Sequence, residues 1–383
     1  IRRPPRSTQG VSSAASDVYK RQMELGLFLM PLHRPDSFHA DTYDQDLNLM
    51  EVADDLGYTE SWIGEHFTMP WENMPSPELF VARALGVTSR MKFGIGVSLL
   101  HMHHPAHVAL RIAQLDHLAR GRLYFGIGSG SGTEWNKEIF GVDTAREDIH
   151  SQMMEAVSVI QQFWAGKPFH HKGTFYDTGI PEPKGDTLFD YHMIPFQKPH
   201  PPIAVAGSSP SSGTLSVVGE KGWIPMSTCF LHEMHLPSHR DVVVKGASKA
   251  NLESPRSKWR ISREIYVAEN GEEARKEALE GPMGQFFQDY WIPLLGSGGG
   301  LEGLKLDPNM ATEKITPEYM LENVWIVGDP DECANRLRKL HGDVGGFGTL
   351  LALCHDWGDM TPKWHRSLEL LSKEVLPALS DLD

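Results

Sequence analysis

The sequence predicts an α/β protein built as a (β/α)8 TIM barrel with inserted loops. Short apolar runs of strand length alternate with amphipathic segments of helix length along the chain, the pattern of repeated strand-helix units around a parallel sheet. Eight such runs can be counted, which fits a closed barrel better than an open doubly wound sheet. A chain of 383 residues is also long for one core unless that core is a large barrel.

The opening stretch, "IRRPPRSTQGVSSAASDVYKRQ", has no apolar periodicity, signal-peptide core or cleavage signal. It resembles translated sequencing-adapter read-through. Residues 1–22 are therefore expected to be a non-native leader and residues 23–383 a single domain, with an Arg- and Ser-rich transit peptide as the rival reading. "ELGLFLM" (24–30) then reads as the first strand, "YDQDLNLMEVADDLG" (43–57) as a helix closed by Gly57, and "ESWIGEH" (60–66) as the second strand. "PELFVARALGVTS" (77–89) is helix and "KFGIGVSLL" (92–100) the third strand. "PAHVALRIAQLDHLARG" (105–121) opens with Pro105 and closes at Gly121, as helix start and stop rules expect. "RLYFGIG" (122–128) is the fourth strand, "REDIHSQMMEAVSVIQQFWAG" (146–166) a helix, and "PPIAVAGSS" (201–209) the fifth strand. "SSGTLSVVGEKG" (211–222) is helix, "WIPMSTCF" (223–230) the sixth strand and "WRISREIYVA" (259–268) the seventh. "PDECANRLRKLHG" (330–342), "FGTLLAL" (347–353) and "PKWHRSLELLSKEVLPAL" (362–379) complete the set as helix, eighth strand and last helix. Two excursions interrupt the pattern, 166–200 and 281–322, and loops of such length in a barrel are usually lids or substrate walls.

The net charge is −14, and the chain is more acidic still without the leader, which carries five basic side chains and one acidic one. That argues against nucleic acid and anionic membranes as partners. No apolar run approaches a membrane span. Three scattered cysteines fit neither a disulfide framework nor a zinc site, so a reducing, cytoplasmic setting is expected.

Barrel chemistry sits at strand C-terminal ends, and four clusters fall there. In "GIGSGSG" the glycines at 126, 128, 130 and 132 alternate strictly, so the dinucleotide fingerprint fails, and no Gly-Lys-Ser/Thr follows to make a nucleoside-triphosphate loop. What remains is either a flexible loop or a place where the amides of Gly128, Ser129 and Gly130, with the Ser129 and Ser131 hydroxyls, approach an anion. "AVAGSSPSSGTLS" places Gly207, Ser208 and Ser209 at a strand end and Ser211 and Ser212 at a helix start. Amides, dipole and hydroxyls together would bind a phosphomonoester there, whereas ordinary capping would account for only one of the serines. Two such clusters suggest a phosphorylated cofactor across the barrel mouth. Glu65 and His66 end the second strand, where a histidine is either a satisfied structural residue or meets a ligand. His101 and His103 form an H-x-H pair, for which a metallohydrolase site is the minor reading; no second pair or ligand aspartate supports it, and no metal is expected.

"GYTESWIGEHF", "KFGIGVSLL" with "HHP" downstream, "QLDHLARGRLYFGIGSG" and "PPIAVAGSSPSSG" resemble, in order and spacing, the bacterial luciferase-like superfamily of flavin monooxygenases. "PWENMPSPELF", "GPMGQFFQDYWIPLL", "NVWIVGDPDE", "GGFGTL" and "SLELLSKEVLP" look closest to its diketocamphane monooxygenase branch, with limonene monooxygenase-like proteins next. The resemblance implies a homodimeric TIM barrel that takes reduced FMN from a separate NAD(P)H-dependent flavin reductase. With O2 it would insert one oxygen into a small hydrophobic substrate through a flavin peroxide, by Baeyer-Villiger oxidation of a ketone or terpene-type oxygenation. It implies that Ser209 and Ser212 bind the FMN phosphate, that Gly128 to Gly130 lie beside the flavin, that His66 with Glu65 is catalytic, and that a cis peptide at Gly96–Val97 lies under the flavin ring. Where luciferase has an adjacent cysteine and arginine this chain has Gly128 and Ser129, so luminescence is not implied and phosphate binding rests on the serines. "EHF" also holds one histidine where luciferase has two. A deazaflavin (F420)-dependent hydride transferase of the same fold, or a silent partner subunit, are the alternatives. Trp62, Phe67, Trp71, Met226 and Phe230 are candidates for the water-excluding wall.

Overall fold

Eight parallel strands close on themselves in chain order, each hydrogen-bonded to its sequence neighbour and the last to the first. They are β1 (Glu24–Leu29), β2 (Glu60–Ile63), β3 (Lys92–Leu99), β4 (Leu123–Gly128), β5 (Ile203–Gly207), β6 (Ile224–Ser227), β7 (Arg260–Arg263) and β8 (Thr349–Leu353). The computed structural model describes residues 23–130, 134–142, 148–185 and 190–382; the expected leader, Ser131 and the last residue lie outside them. Around the barrel run α1 (His39–Asp55), α2 (Pro77–Val87), α3 (Pro105–Ala119), α4 (Ile149–Ala165), α5 (Thr214–Lys221), α6 (Leu236–Lys249), α7 (Pro330–Val344) and α8 (Thr361–Leu370). Among the described residues no helix is long and apolar enough to cross a membrane. Cys229, Cys333 and Cys354 are all buried free thiols.

The alternating glycines of β3 and β4 have a packing reason. Trp62 fills the barrel interior, and a Cβ on Gly94 would lie 2.2 Å from Trp62 Cε3, while one on Gly126 would lie 2.1 Å from the Ile95 carbonyl oxygen. Only glycine lets β3 and β4 close over so large a ring. The Trp62 ring stacks on Tyr124 at 5.4 Å, and its Nε1–H donates to Glu60 Oε1 at 2.8 Å. Glu60 accepts Arg260 Nε and Nη2 at 3.1 and 3.0 Å, a buried fork that ties β2 to β7 across the lumen. Such a pair contributes little net stability, but removing one partner leaves a buried charge, so it fixes geometry.

Several boundaries differ from the sequence reading, each for a local reason. The expected seventh strand divides: 260–263 stay in the barrel, and Ile265–Val267 leave it to pair in parallel with Ile326–Gly328. β2 ends at Ile63 rather than at His66, β5 at Gly207 rather than at Ser209, and β6 at Ser227. The helix expected from Ser211 starts at Thr214, because Ser211 takes a left-handed φ of 51° that a helix cannot use. α6 is invisible to the sequence pattern: "RDVVVKG" is β-branched and lacks a clear apolar period. So is the helix Gly271–Glu280, whose mostly charged sequence hides its apolar face. The 166–200 excursion holds an antiparallel hairpin, Phe169–Lys172 with Asp177–Ile180. The 281–322 excursion is a string of short helical segments.

Candidate active site

The C-terminal ends of the strands form one mouth, and its two sides are built from different materials. On the side of β1, β2 and β8, histidines meet carboxylates. Glu65, buried two residues past β2, accepts the Leu99 N–H at 2.6 Å through Oε2 and contacts His103 Nε2 at 2.8 Å through Oε1. Both oxygens are thereby engaged, and the carboxylate clamps the end of β3. His66 follows; its Nδ1 is in ion-pair contact with Oε2 of Glu72, a fully buried carboxylate that sequence reasoning did not single out. Its Nε2 has no hydrogen-bond partner among the described residues. His101 and His103 point to different surroundings: His103 is taken by Glu65, and His101 is buried at the β3 end.

A second histidine escaped the sequence reading. His33, buried after β1, lies between Asp356 (Nδ1 to Oδ2, 2.9 Å) and Asp46 (Nε2 to Oδ2, 3.2 Å). Burial alone would lower its pKa, but the hydrogen bonds to Asp356 and Asp46 and their charge outweigh burial and raise it to about 9. Asp356 is the ionised partner: burial works against its charge, yet His33 and the Gly358 N–H hold its carboxyl below the usual value. Burial raises Asp46, only partly offset by His33. Deeper lies a pair with no such compensation. Glu264 Oε1 and His355 Nε2 stand 3.7 Å apart, and burial pushes the carboxyl up to about 8 and the imidazole down to about 3. Burial thus disfavours the charged form of each.

Aromatic side chains wall this side. Trp71 stacks on Tyr290 at 5.6 Å and meets Phe286 edge-on at 5.4 Å, and Phe230 packs on Trp291 at 4.6 Å. Phe67 packs on Phe140 and His103. The 281–322 insertion therefore supplies Phe286, Tyr290 and Trp291 to the wall. Trp62 does not belong to it; it sits below, inside the barrel.

On the side of β3, β4 and β5 the backbone is bare. The peptide Gly96–Val97 is cis, where the resemblance implied it. Val97 leans on β4: a Cβ on Gly128 would lie 2.5 Å from Val97 Cγ2, and one on Gly130, at φ +61°, 2.6 Å from Leu99 Cδ2. Ser129 follows, half-buried. One strand further, Gly207 ends β5 where a Cβ would collide with Leu215 at 2.7 Å, and Ser208, Ser209 and Ser211 are exposed. Ser212 Oγ is 2.8 Å from Thr214 Oγ1. Among the described residues nothing accepts the N–H groups of Ser212, Gly213 or Thr214, which lead into and open the first turn of α5. Free amides at a helix start, aided by its dipole, make a cradle for an anion.

The cradle is tied down from α6. His239 Nε2 lies 2.8 Å from the Ser209 carbonyl oxygen, which can only accept, so Nε2 carries the proton. Nδ1 must then accept from Ser227 Oγ at 2.9 Å, and Ser227 Oγ accepts from Trp259 Nε1 at 2.9 Å. Burial keeps His239 below the ordinary imidazole value, consistent with one neutral tautomer. Ser238 Oγ accepts the Ser211 N–H at 3.1 Å, holding that residue in its left-handed conformation.

Of the residues expected at the site, Gly96, Val97, Gly128, Ser129, Gly130, Gly207, Ser208, Ser209, Ser211 and Ser212 thus lie at or just past the C-terminal ends of three consecutive strands, and Glu65 and His66 just past the end of the neighbouring β2. Glu72, Tyr290, Glu264, His355 and His239 were missed. "PWENMP" and "DYW" carried the only visible signal.

A family model described as luciferase-like monooxygenase matches residues 23–345. The chain is 31% identical over 374 residues to 3,6-diketocamphane 1,6-monooxygenase of Pseudomonas putida, covering 93% of this chain and 98% of that protein. It is 30% identical over 359 residues to limonene 1,2-monooxygenase of Rhodococcus erythropolis, covering 93% and 86%. Among solved structures, the oxygenating constituent of 3,6-diketocamphane monooxygenase from Pseudomonas putida, a type II Baeyer-Villiger monooxygenase in complex with FMN, superposes with a TM-score of 0.86 at 32% identity over 93% of this chain and 98% of that one.

Proposed function

Since the chain belongs to the luciferase-like monooxygenases, we propose that it is the oxygenating component of a two-component system, receiving reduced FMN from a separate NAD(P)H-dependent reductase and placing one atom of O2 in a small hydrophobic substrate. The substrate class is a ketone, oxidised in the Baeyer-Villiger sense, or a terpene; the similar proteins are named for diketocamphanes and limonene. The observation that carries the reading is the cradle at residues 207–214, whose free amides suit a phosphate dianion without an arginine. The end of β4, where Gly128 packs against Val97, lies between the cradle and the histidine side of the mouth, where the flat part of the same molecule would lie.

Reduced flavin, when bound, supplies the activation of O2. The chain's own residues do the rest. Ser209, Ser212 and the amides of Ser212 to Thr214 hold the phosphate. Glu65, with both oxygens engaged, positions the end of β3. His66 holds or moves a proton at Nε2 while Glu72 orients the ring through Nδ1. Trp71, Phe230, Phe286, Tyr290 and Trp291 exclude water.

Leu79 and Val87 of α2 and Leu110 and Leu118 of α3 are exposed apolar side chains that a second copy of the chain would cover, which supports a dimer. Three buried thiols suit a reducing cytoplasm. The test is to supply isotopically heavy O2, FMN and a separate reductase to a panel of cyclic ketones and monoterpenes. One heavy oxygen in the product is expected. Reduced flavin consumed to hydrogen peroxide with every substrate, or an unlabelled product of hydride transfer, would overturn the proposal.

A further inference from the structure

The other end of the barrel carries a cavity of about 980 Å³, lined by the first residues of the strands and far from the mouth just described. Its floor is Tyr124, flanked by Lys92 Nζ at 5.5 Å and the Arg260 guanidinium at 5.6 Å from the ring centre. Lys198, Lys221, Arg256 and Lys258 also line it, and Glu24 is the only carboxylate among its lining residues. Arg260 is neutralised by Glu60. The other five cations are not in ion pairs with any described carboxylate. Four are instead pinned by neutral acceptors: Lys92 Nζ to the Tyr124 hydroxyl (3.3 Å), Lys198 Nζ to the Pro195 carbonyl (2.7 Å), Lys258 Nζ to the Gly222 carbonyl (3.2 Å), and Arg256 Nη1 to the Val344 carbonyl (2.7 Å).

Some exposed cations elsewhere sit against carboxylates, as in Arg83–Asp44, Arg275–Glu332, Arg338–Asp381, Lys363–Glu273 and Lys373–Glu369, in a chain with 50 acidic and 36 basic side chains. What sets this place apart is that five cations without such a partner line one concavity. Five cations without an ion pair against the single carboxylate of Glu24 leave the concavity net positive and focus a positive potential there. Holding three of them with carbonyls and Lys92 with a hydroxyl fixes their geometry without cancelling their charge.

We propose that this cavity binds a small polyanion, a molecule carrying two or more adjacent phosphate groups such as a pyrophosphate or nucleoside diphosphate. Its volume suits a ligand of that size. The site is separate from the cradle at 207–214 and does not depend on the flavin reading. Equilibrium dialysis of the full chain with inorganic pyrophosphate, and in parallel with ADP, tests it. One saturable site per chain is expected, weakened about tenfold or more on raising the salt from about 0.02 M to about 0.5 M. Lys221→Glu with Lys258→Glu should weaken binding at least about tenfold with thermal stability unchanged, because both side chains are exposed. Binding of ADP but not pyrophosphate would place the recognition in a nucleoside diphosphate, and binding of both in the diphosphate itself. The proposal is overturned by absence of saturable binding of either probe, or by binding that survives the double reversal, which would assign it to the cradle.

Discussion

The two sides of the C-terminal mouth differ in whether their polar groups are satisfied. On the β1–β2–β8 side His33, His103 and His66 each face a carboxylate, and Glu65 has no oxygen to spare. On the β4–β5 side the N–H groups of Ser212, Gly213 and Thr214 have no partner among the described residues, beside the exposed Ser208, Ser209 and Ser211. Polar groups spent on one another read as scaffold, whereas free amides gathered at a helix start, open to solvent, are free to take an anion, so the bare side reads as the place for a ligand. The paired side has exceptions: His66 has only one nitrogen engaged, and deeper down Glu264 Oε2 and both nitrogens of His355 are buried without a hydrogen bond.

The sharpest way to break the comparison is to remove a pair from the scaffold. His33 has a folded pKa of about 9 against 6.5 unfolded, so its stabilisation is fully present below pH 6.5 and is lost as pH rises through 9. His33→Asn should therefore cost about 3 kcal/mol at pH 6, and the gap from the parent should close above about pH 9, measured by urea unfolding across that range. A constant gap would show that His33 is not charged in the fold.

The next effect falls on the bare side and should leave the fold alone. Gly213 has φ −62°, and a Cβ added there would meet nothing within 4 Å, so Gly213→Asp fits without strain. Its carboxylate would sit where the helix start favours negative charge, leaving stability unchanged or up by about 0.5 kcal/mol. It would also occupy the cradle, so FMN affinity should fall about a hundredfold, which is about 2.7 kcal/mol. Equal losses of stability and affinity would mean that the loop is structural.

A smaller effect joins the two. His239→Ala removes the tie between Ser227 and the Ser209 carbonyl without touching the cradle's amides. It should weaken FMN binding about tenfold while leaving kcat at saturating flavin unchanged, because the group acts through loop position. A drop in kcat with unchanged affinity would contradict that role.

The barrel was legible because its signals are repetitive: eight apolar runs with helices between them survive errors at any one boundary. The glycine and serine clusters were legible because small residues at strand ends are unusual in themselves. "GIGSGSG" stands out for two reasons rather than one, since Gly126 serves Trp62 and the β3–β4 approach and not an anion. What stayed hidden are partners distant in sequence. Glu72 gains meaning only where its loop folds back on His66, and Asp356 only where β8 returns beside β1. His355 and Glu264 are ordinary residues until burial raises the carboxyl and lowers the imidazole. α6 was hidden by its three valines, and with it His239.

The central claim is that the bare side holds the phosphate of the flavin. Anaerobic titration of the chain with reduced FMN and, separately, with reduced riboflavin, which differs only in lacking that phosphate, tests it most directly. The account predicts FMN binding at least about a hundredfold tighter, since charge-assisted contacts to several amides are lost with the phosphate. Equal affinity for the two flavins would contradict it and return the cradle at 207–214 to an ordinary loop.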